Sequence, residues 1–185
     1  VKSFASTKLT RLPYFNPNTA LLPFIKKHTQ GRCMLHTGHK QLRKGRYSQP
    51  NGIYLVTVVT HQRTPYFSEK DIAVCFCRTL NNPILLKQSK LLAWVVMPDH
   101  WHALIQIGGQ DTLERVIARI KATATRNINR ITNRTESIWN KTYHDRAIRR
   151  EEDLLPAARY IVANPLRAGL VRRVGDYPYW NAIWL

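Results

Sequence analysis

Two histidines in the run AWVVMPDHWHALIQI, His100 and His102, are the residues best placed to do chemistry. The flanking residues read as strand, so alternation sends both imidazoles to one face and Trp101 to the other. Two neutral imidazoles on one face can hold a divalent metal and leave its remaining positions open. A bare His-x-His more often marks half-exposed residues on an edge strand, and only its surroundings change that balance. Further along, Tyr160 and Asn164 stand four residues apart, hence on one face of a helix. They lie off the apolar stripe expected from Leu154, Leu155, Ala158, Ile161 and Val162. A tyrosine in a helix is most often a packing residue, but this one sits beside a polar amide. A phenol is a poor nucleophile at neutral pH unless a metal or a base assists it.

The elements that must position these groups follow from periodicity. Ile53 to Thr60 is β-branched and apolar and predicts a buried strand. Ser68 and Asp71 resemble a helix start, with Ile72, Phe76, Thr79 and Leu80 following at helical spacing, and Asn82-Pro83 closing it. Leu91 to Met97 and His100 to Ile107 read as two strands about a Pro98-Asp99 turn, ended by Gly108-Gly109. Asp111 and Glu114 form a capping-box pattern for a helix to about Arg130. Its stripe is Leu113, Val116, Ile117, Ile120, Ala124 and Ile128, with Arg115, Arg119, Arg126 and Arg130 opposite. SIWNKTYHDRAIR predicts a fourth strand. A last helix is expected to begin near Glu151, Glu152 and Asp153 and to stop at Asn164-Pro165, with Pro156 inside it. The order β-α-β-β-α-β plus a helix is the ferredoxin-like split βαβ arrangement: an α+β fold with one antiparallel sheet.

Charge supplies the partner class. The chain has 185 residues and carries 29 Lys+Arg against 11 Asp+Glu, a formal net charge of +18, and its first acidic residue is Glu69. Such a field attracts polyanions, of which nucleic acid is the commonest for a basic domain. No apolar run approaches the ~18 residues of a membrane span, and Ala20 to Ile25 lacks the pattern of a signal peptide. Cys33, Cys75 and Cys77 are too few for a disulfide scaffold and read as reduced thiols, with zinc at Cys75-x-Cys77 the less favoured alternative. Residues 1–45 read as a basic arm and residues 46–185 as one domain. The first methionine is Met34, so either residues 1–33 precede the natural start or the chain is truncated.

MPDHWHALIQI followed by ARYIVANPLRAGL resembles the HUH-class single-tyrosine (IS200-like) transposases, and more closely the REP-associated tyrosine transposases. The resemblance extends from about Leu42 to Leu185, through LRKGRYSQPNGIYLVTVVTHQRTPYF, WNKTYHDRAIR and DYPYWNAIWL. It implies an HUH endonuclease fold, His100 and His102 as metal-binding pair, Tyr160 as nucleophile, and Asn164 where relatives carry a polar third ligand. Mg²⁺ or Mn²⁺ would be the cofactor. Single-stranded DNA folded into a hairpin of repetitive extragenic palindrome type would be the partner, cut through a 5′-phosphotyrosine link. A cytoplasmic, nucleoid-associated monomer or homodimer is expected.

Arg43, Lys44 and Arg46 of the arm, with Arg115, Arg119, Arg126 and Arg130, are candidate phosphate contacts. Trp94, Trp101, Tyr179 and Trp180 are candidates for stacking on unpaired bases, although each is more often a core residue. Three rival classes remain. A catalytically silent hairpin-binding protein would be marked by a broken site, whereas both histidines and the tyrosine are present. An RNA-binding ferredoxin-like domain would want exposed aromatics on strands one and three. A zinc hydrolase would need a third ligand that the sequence does not offer nearby.

Overall fold

The computed structural model describes residues 49–150 and 153–184. The basic arm, with Arg43, Lys44 and Arg46, lies outside the described residues, as do Cys33, Glu151 and Glu152. The elements run β1 (Ile53–Val59), α1 (Lys70–Leu80), the single turn α2 (Pro83–Leu86), β2 (Lys90–Met97) and β3 (His100–Gln106). There follow α3 (Leu113–Thr132), β4 (His144–Ile148), α4 (Leu154–Val162), the turn α5 (Asn164–Arg167) and β5 (Trp180–Ala182). All strand pairs are antiparallel, in the order β4-β1-β3-β2-β5. The first four strands reproduce the expected split βαβ sheet; β5, which pairs with the outer edge of β2, was not foreseen. Its run Trp180–Ala182 is too short to show a period of two.

The sheet sends alternate residues into two separate cores. On one face Val56, Val58, Trp101, Ala103 and Ile105 pack against α1 and α3. On the other, Ala93, Val95, Met97 and Leu104 pack against Ala158, Ile161 and Val162 of α4. β1 accordingly alternates between buried and half-buried residues rather than being buried throughout. β2 is buried on both faces from Leu92 to Met97, because α4 covers the side that α1 and α3 do not.

Several boundaries move for identifiable reasons. The cap of α3 is Thr112, whose hydroxyl accepts from the Arg115 amide, and not Asp111. Asp111 is instead engaged by the Arg119 guanidinium. α1 begins at Lys70 after Glu69, with no side-chain cap from Ser68. The fourth strand shrinks to His144–Ile148, since Ile138 and Trp139 turn into the helical-face core. There the Trp139 ring meets Phe67 at 5.6 Å and Phe76 at 5.1 Å between ring centres. On α4, Leu155 is 37% exposed and Ala157 takes its place in the buried stripe. Pro156 falls in the first turn of that helix, where its missing N–H removes no helical bond. Cys75 and Cys77 are free and half-buried, and burial pushes the Cys77 thiol up to about 12. Residues two apart on a helix do not face one another, so this pair is no zinc clamp.

Candidate active site: a paired-histidine centre beside a helix-borne tyrosine

β3 begins with His100, immediately after the Pro98-Asp99 turn. That turn is tied down by the segment following β1. The Asp99 carbonyl accepts from the Thr60 amide at 2.9 Å and the Thr60 hydroxyl at 2.8 Å, and the Phe67 amide donates to the Pro98 carbonyl at 3.0 Å. Trp101, fully buried on the opposite face and edge-on to Phe76, anchors the strand from beneath. Among the described residues its indole N–H finds no partner, so the ring is held there by apolar packing.

Each imidazole is oriented through its Nδ1. His100 Nδ1 lies 2.5 Å from Asp99 Oδ1, and Asp99 Oδ2 accepts from Arg63 at 2.9 Å. Burial alone would raise the Asp99 carboxyl, but the bonds from His100 and Arg63 outweigh it and hold it below its ordinary value. His102 Nδ1 lies 2.8 Å from the Thr57 hydroxyl across the β1–β3 pairing. Assigning the proton to Nδ1 in both rings, as the carboxylate partner requires for His100, leaves both Nε2 atoms as acceptors. Those two Nε2 atoms are 3.1 Å apart. Two lone pairs that converge so closely are unfavourable alone and are relieved by a cation between them. A separation of 3.1 Å is that of two neighbouring ligands of a single divalent ion. Burial, aided by the charges of His100 and Arg167, pushes His102 down to about 4, which keeps it neutral and able to bind metal.

α4 carries Tyr160 on the side away from its core stripe, 36% exposed. The helix lies on the same face of the sheet as the two histidines, because His100, His102 and Leu104 share that face of β3 and Leu104 belongs to the α4 core. Arg167 joins the two halves: its guanidinium carbon lies 3.7 Å from the centre of the Tyr160 ring, and its charge acts on His102. The sequence offered no signal for this contact, since Arg167 follows the helix carrying Tyr160 and meets its ring only through the turn of α5.

Asn164 is turned toward its own helix. It is 8% exposed, and its amide nitrogen donates to the carbonyls of Tyr160 and Ile161 at 3.0 Å each, closing the end of α4. Its oxygen, the atom a metal would need, accepts from Arg167 at 2.8 Å. Among the described residues no group of three or more His, Cys, Asp or Glu side chains could hold a metal. The two imidazole Nε2 atoms are thus the candidate metal-binding pair at this centre.

The expected phosphate contacts divide. Arg115, Arg126 and Arg130 are exposed, but on α3, which covers the face opposite the histidines. Arg119 is half-buried: it pairs with Asp111 and donates from Nε to the Leu85 carbonyl at 2.8 Å, so it braces α3 against α2 rather than facing a ligand. Trp94 (4% exposed) and Trp101 are core and cannot stack on bases, whereas Tyr179 and Trp180 are only partly buried. Two residues that periodicity did not single out adjoin the centre. His144 pairs with Thr57, which pairs with His102, and Arg146 pairs with Leu55. Cross-strand partners share a face, so the exposed His144 and Arg146 line the part of the histidine face that lies farthest from α4.

Residues 48–164 match the family described as "Transposase IS200 like". The chain belongs to the IS200-like transposases. Within them it falls among the REP-associated tyrosine transposases. It is 30% identical over 138 residues to a Haemophilus influenzae protein assigned to that group, covering 69% of this chain and 78% of the relative. It is 31% identical over 88 residues to the REP-associated tyrosine transposase of Escherichia coli K12, covering 47% of this chain and 50% of that one. The fold is also that of a solved REP-associated tyrosine transposase bound to a REP hairpin. There the TM-score is 0.58 at 22% identity, over 73% of this chain and 79% of the other. Among the described residues no helix is long and apolar enough to cross a membrane.

Proposed function

We propose that this transposase-family protein is a metal-dependent nicking and rejoining enzyme for single-stranded DNA that carries a hairpin of repetitive extragenic palindrome type. The convergence of His100 Nε2 and His102 Nε2 on one point, on the face that α4 shares, carries this reading. A bound Mg²⁺ or Mn²⁺ would supply Lewis-acid stabilisation of charge on the phosphate oxygens. His100 and His102 would hold it, with Asp99 and Thr57 fixing their orientation. Tyr160 Oη attacks phosphorus, so that a P–O bond to tyrosine forms as the P–O3′ bond breaks. The phenol releases its proton and the leaving 3′ oxygen takes one up from solvent. The 5′-phosphotyrosine so formed keeps the bond energy, and a second DNA 3′-hydroxyl can attack it, expel Tyr160 and rejoin the strands without ATP.

The DNA strand reaches this centre across β1 and β4, the part of the histidine face remote from α4, with His144 and Arg146 beneath its phosphates. Strands lie about 4.8 Å apart, so His144, two strands from His102, stands about a nucleotide's reach away. The net charge of +18 supports a polyanionic partner and a cytoplasmic, nucleoid-associated place of action.

The test is incubation of the full chain and its Tyr160→Phe variant with hairpin oligonucleotides bearing single-stranded flanks, with Mn²⁺ or with EDTA. A covalent protein–DNA adduct should form only with the parent and only with metal, while both proteins bind the hairpin alike. An adduct in Tyr160→Phe, or cleavage undiminished in EDTA, would overturn the mechanism. Hairpin binding with no cleavage under any metal would make the protein a silent binder.

A further inference from the structure

Arg167 lies just beyond the matched residues 48–164, in the turn that follows the tyrosine helix. One face of its guanidinium covers the Tyr160 ring at 3.7 Å, and one nitrogen donates to Asn164 Oδ1 at 2.8 Å. Asn164 is itself locked, because its amide nitrogen is bonded to two α4 carbonyls. Three residues thus form a closed unit: α4 holds Asn164, Asn164 holds Arg167, and Arg167 holds the Tyr160 ring. Arg167 is nevertheless exposed, and among the described residues no carboxylate pairs with it. A guanidinium has five N–H donors in a planar fork that matches phosphate oxygens, and stacking on a ring leaves the edges of that fork open.

We propose that Arg167 is a catalytic residue that grips the scissile phosphate through its open edge while its face holds Tyr160 in the attacking rotamer. This role rests on the transesterase reading above. It follows from where the charge sits. A cation stacked on the nucleophile's ring, on the face of the sheet that carries the histidine pair, stands beside the attacking group, where negative charge grows on the phosphate. Ring and phosphate are then held by one rigid group, so the approach of Oη to phosphorus is set before the DNA arrives. A lysine can supply the charge there. It cannot stack flat, bond Asn164 and present two parallel donors together.

The alternative is that Arg167 merely staples the end of α4 through Asn164. Single-turnover adduct formation, hairpin affinity and thermal stability measured on Arg167→Ala and Arg167→Lys separate the two. Loss of a preorganised donor to developing charge costs about 10²- to 10³-fold in rate. Arg167→Ala should show a loss of that size while hairpin affinity stays within about threefold, since one phosphate contact is a small share of the binding charge. Free guanidinium ion, added below denaturing concentration, should restore part of the lost rate, and methylammonium should not. Arg167→Lys should remain well below the parent. Without DNA or metal, the ¹³C-tyrosine signal that vanishes in Tyr160→Phe should shift in Arg167→Ala as its ring loses the stacked cation. A rate within a few-fold of the parent, or a loss that tracks falling stability with no guanidinium rescue, would overturn the role. Were the parent to form no adduct, the transesterase reading would fall and this role with it. A parent adduct with Arg167→Ala unimpaired would overturn the role alone.

Discussion

The two faces of the sheet are built from the same strands and do opposite things. Toward α1 and α3, β3 presents Trp101, Ala103 and Ile105, all fully buried in one continuous apolar core. Toward α4 it presents His100, His102 and Leu104, of which only Leu104 is fully buried. The first face is covered by an eleven-residue helix and a twenty-residue helix, and the second chiefly by the nine-residue α4. A short cover cannot close the whole face, so polar groups near its edge stay accessible to a ligand. The dry face supplies rigidity, and the half-covered face uses that rigidity to hold two imidazoles a hydrogen-bond length apart. Stability and chemistry are thereby assigned to alternate residues of one strand.

Substitutions at neighbouring positions of β3 should therefore fail in different ways. His100→Ala or His102→Ala is expected to lower metal-dependent adduct formation by more than about 100-fold, since even residues that only orient metal ligands cost up to that much. Urea denaturation of either variant should stay within about 1 kcal/mol of the parent. Trp101→Ala, one residue away, should do the reverse. It is expected to cost about 3–5 kcal/mol in urea titrations by emptying the core, with any loss of cleavage following the loss of folded protein. Trp101→Ala with parental stability would break the division between the faces.

Acid provides a finer comparison. His102 titrates near its ordinary 6.5 when unfolded and is pushed down to about 4 in the fold. Between those values the unfolded chain binds more protons, so stability falls as pH drops from 6.5 toward 4, by roughly 3 kcal/mol at most. In His102→Gln, thermal melts across this window should lose that part of the slope. An unchanged slope would show that other groups govern acid unfolding. A smaller effect on stability is expected at Asn164, whose bonds close α4 and anchor Arg167. Asn164→Ala should lower stability by about 1–2 kcal/mol, while the Mn²⁺ concentration dependence of cleavage stays parental. A weakened Mn²⁺ response at full stability would return Asn164 to the metal site.

How much of this was legible depends on the range of each interaction. The same-face pairing of His100 and His102 needs only the period of a strand, and the stripe of α3 only the period of a helix, so both could be read locally. The helix cap shifted from Asp111 to Thr112 because Arg119, two turns along α3, claims the carboxylate. Leu155 was read as core from its spacing, yet it is 37% exposed and Ala157 is buried instead. Trp94 and Trp101 favour a core over a base-stacking surface by residue type, and the packing of both sheet faces places them there.

The amino-acid sequence by itself determined the order of elements, the polyanion-seeking charge, the histidine pair and the helix that bears Tyr160. These depend on composition and on periods that repeat within a few residues. Tertiary structure decided what those residues touch. It turned Asn164 toward the end of its own helix, set Arg167 on the Tyr160 ring, put three of the α3 arginines on the far side of the sheet and brought His144 and Arg146 beside the centre. Each of those outcomes is a competition among partners for one donor, acceptor or face. Such a competition is settled only when the turns and elements carrying those partners are folded together.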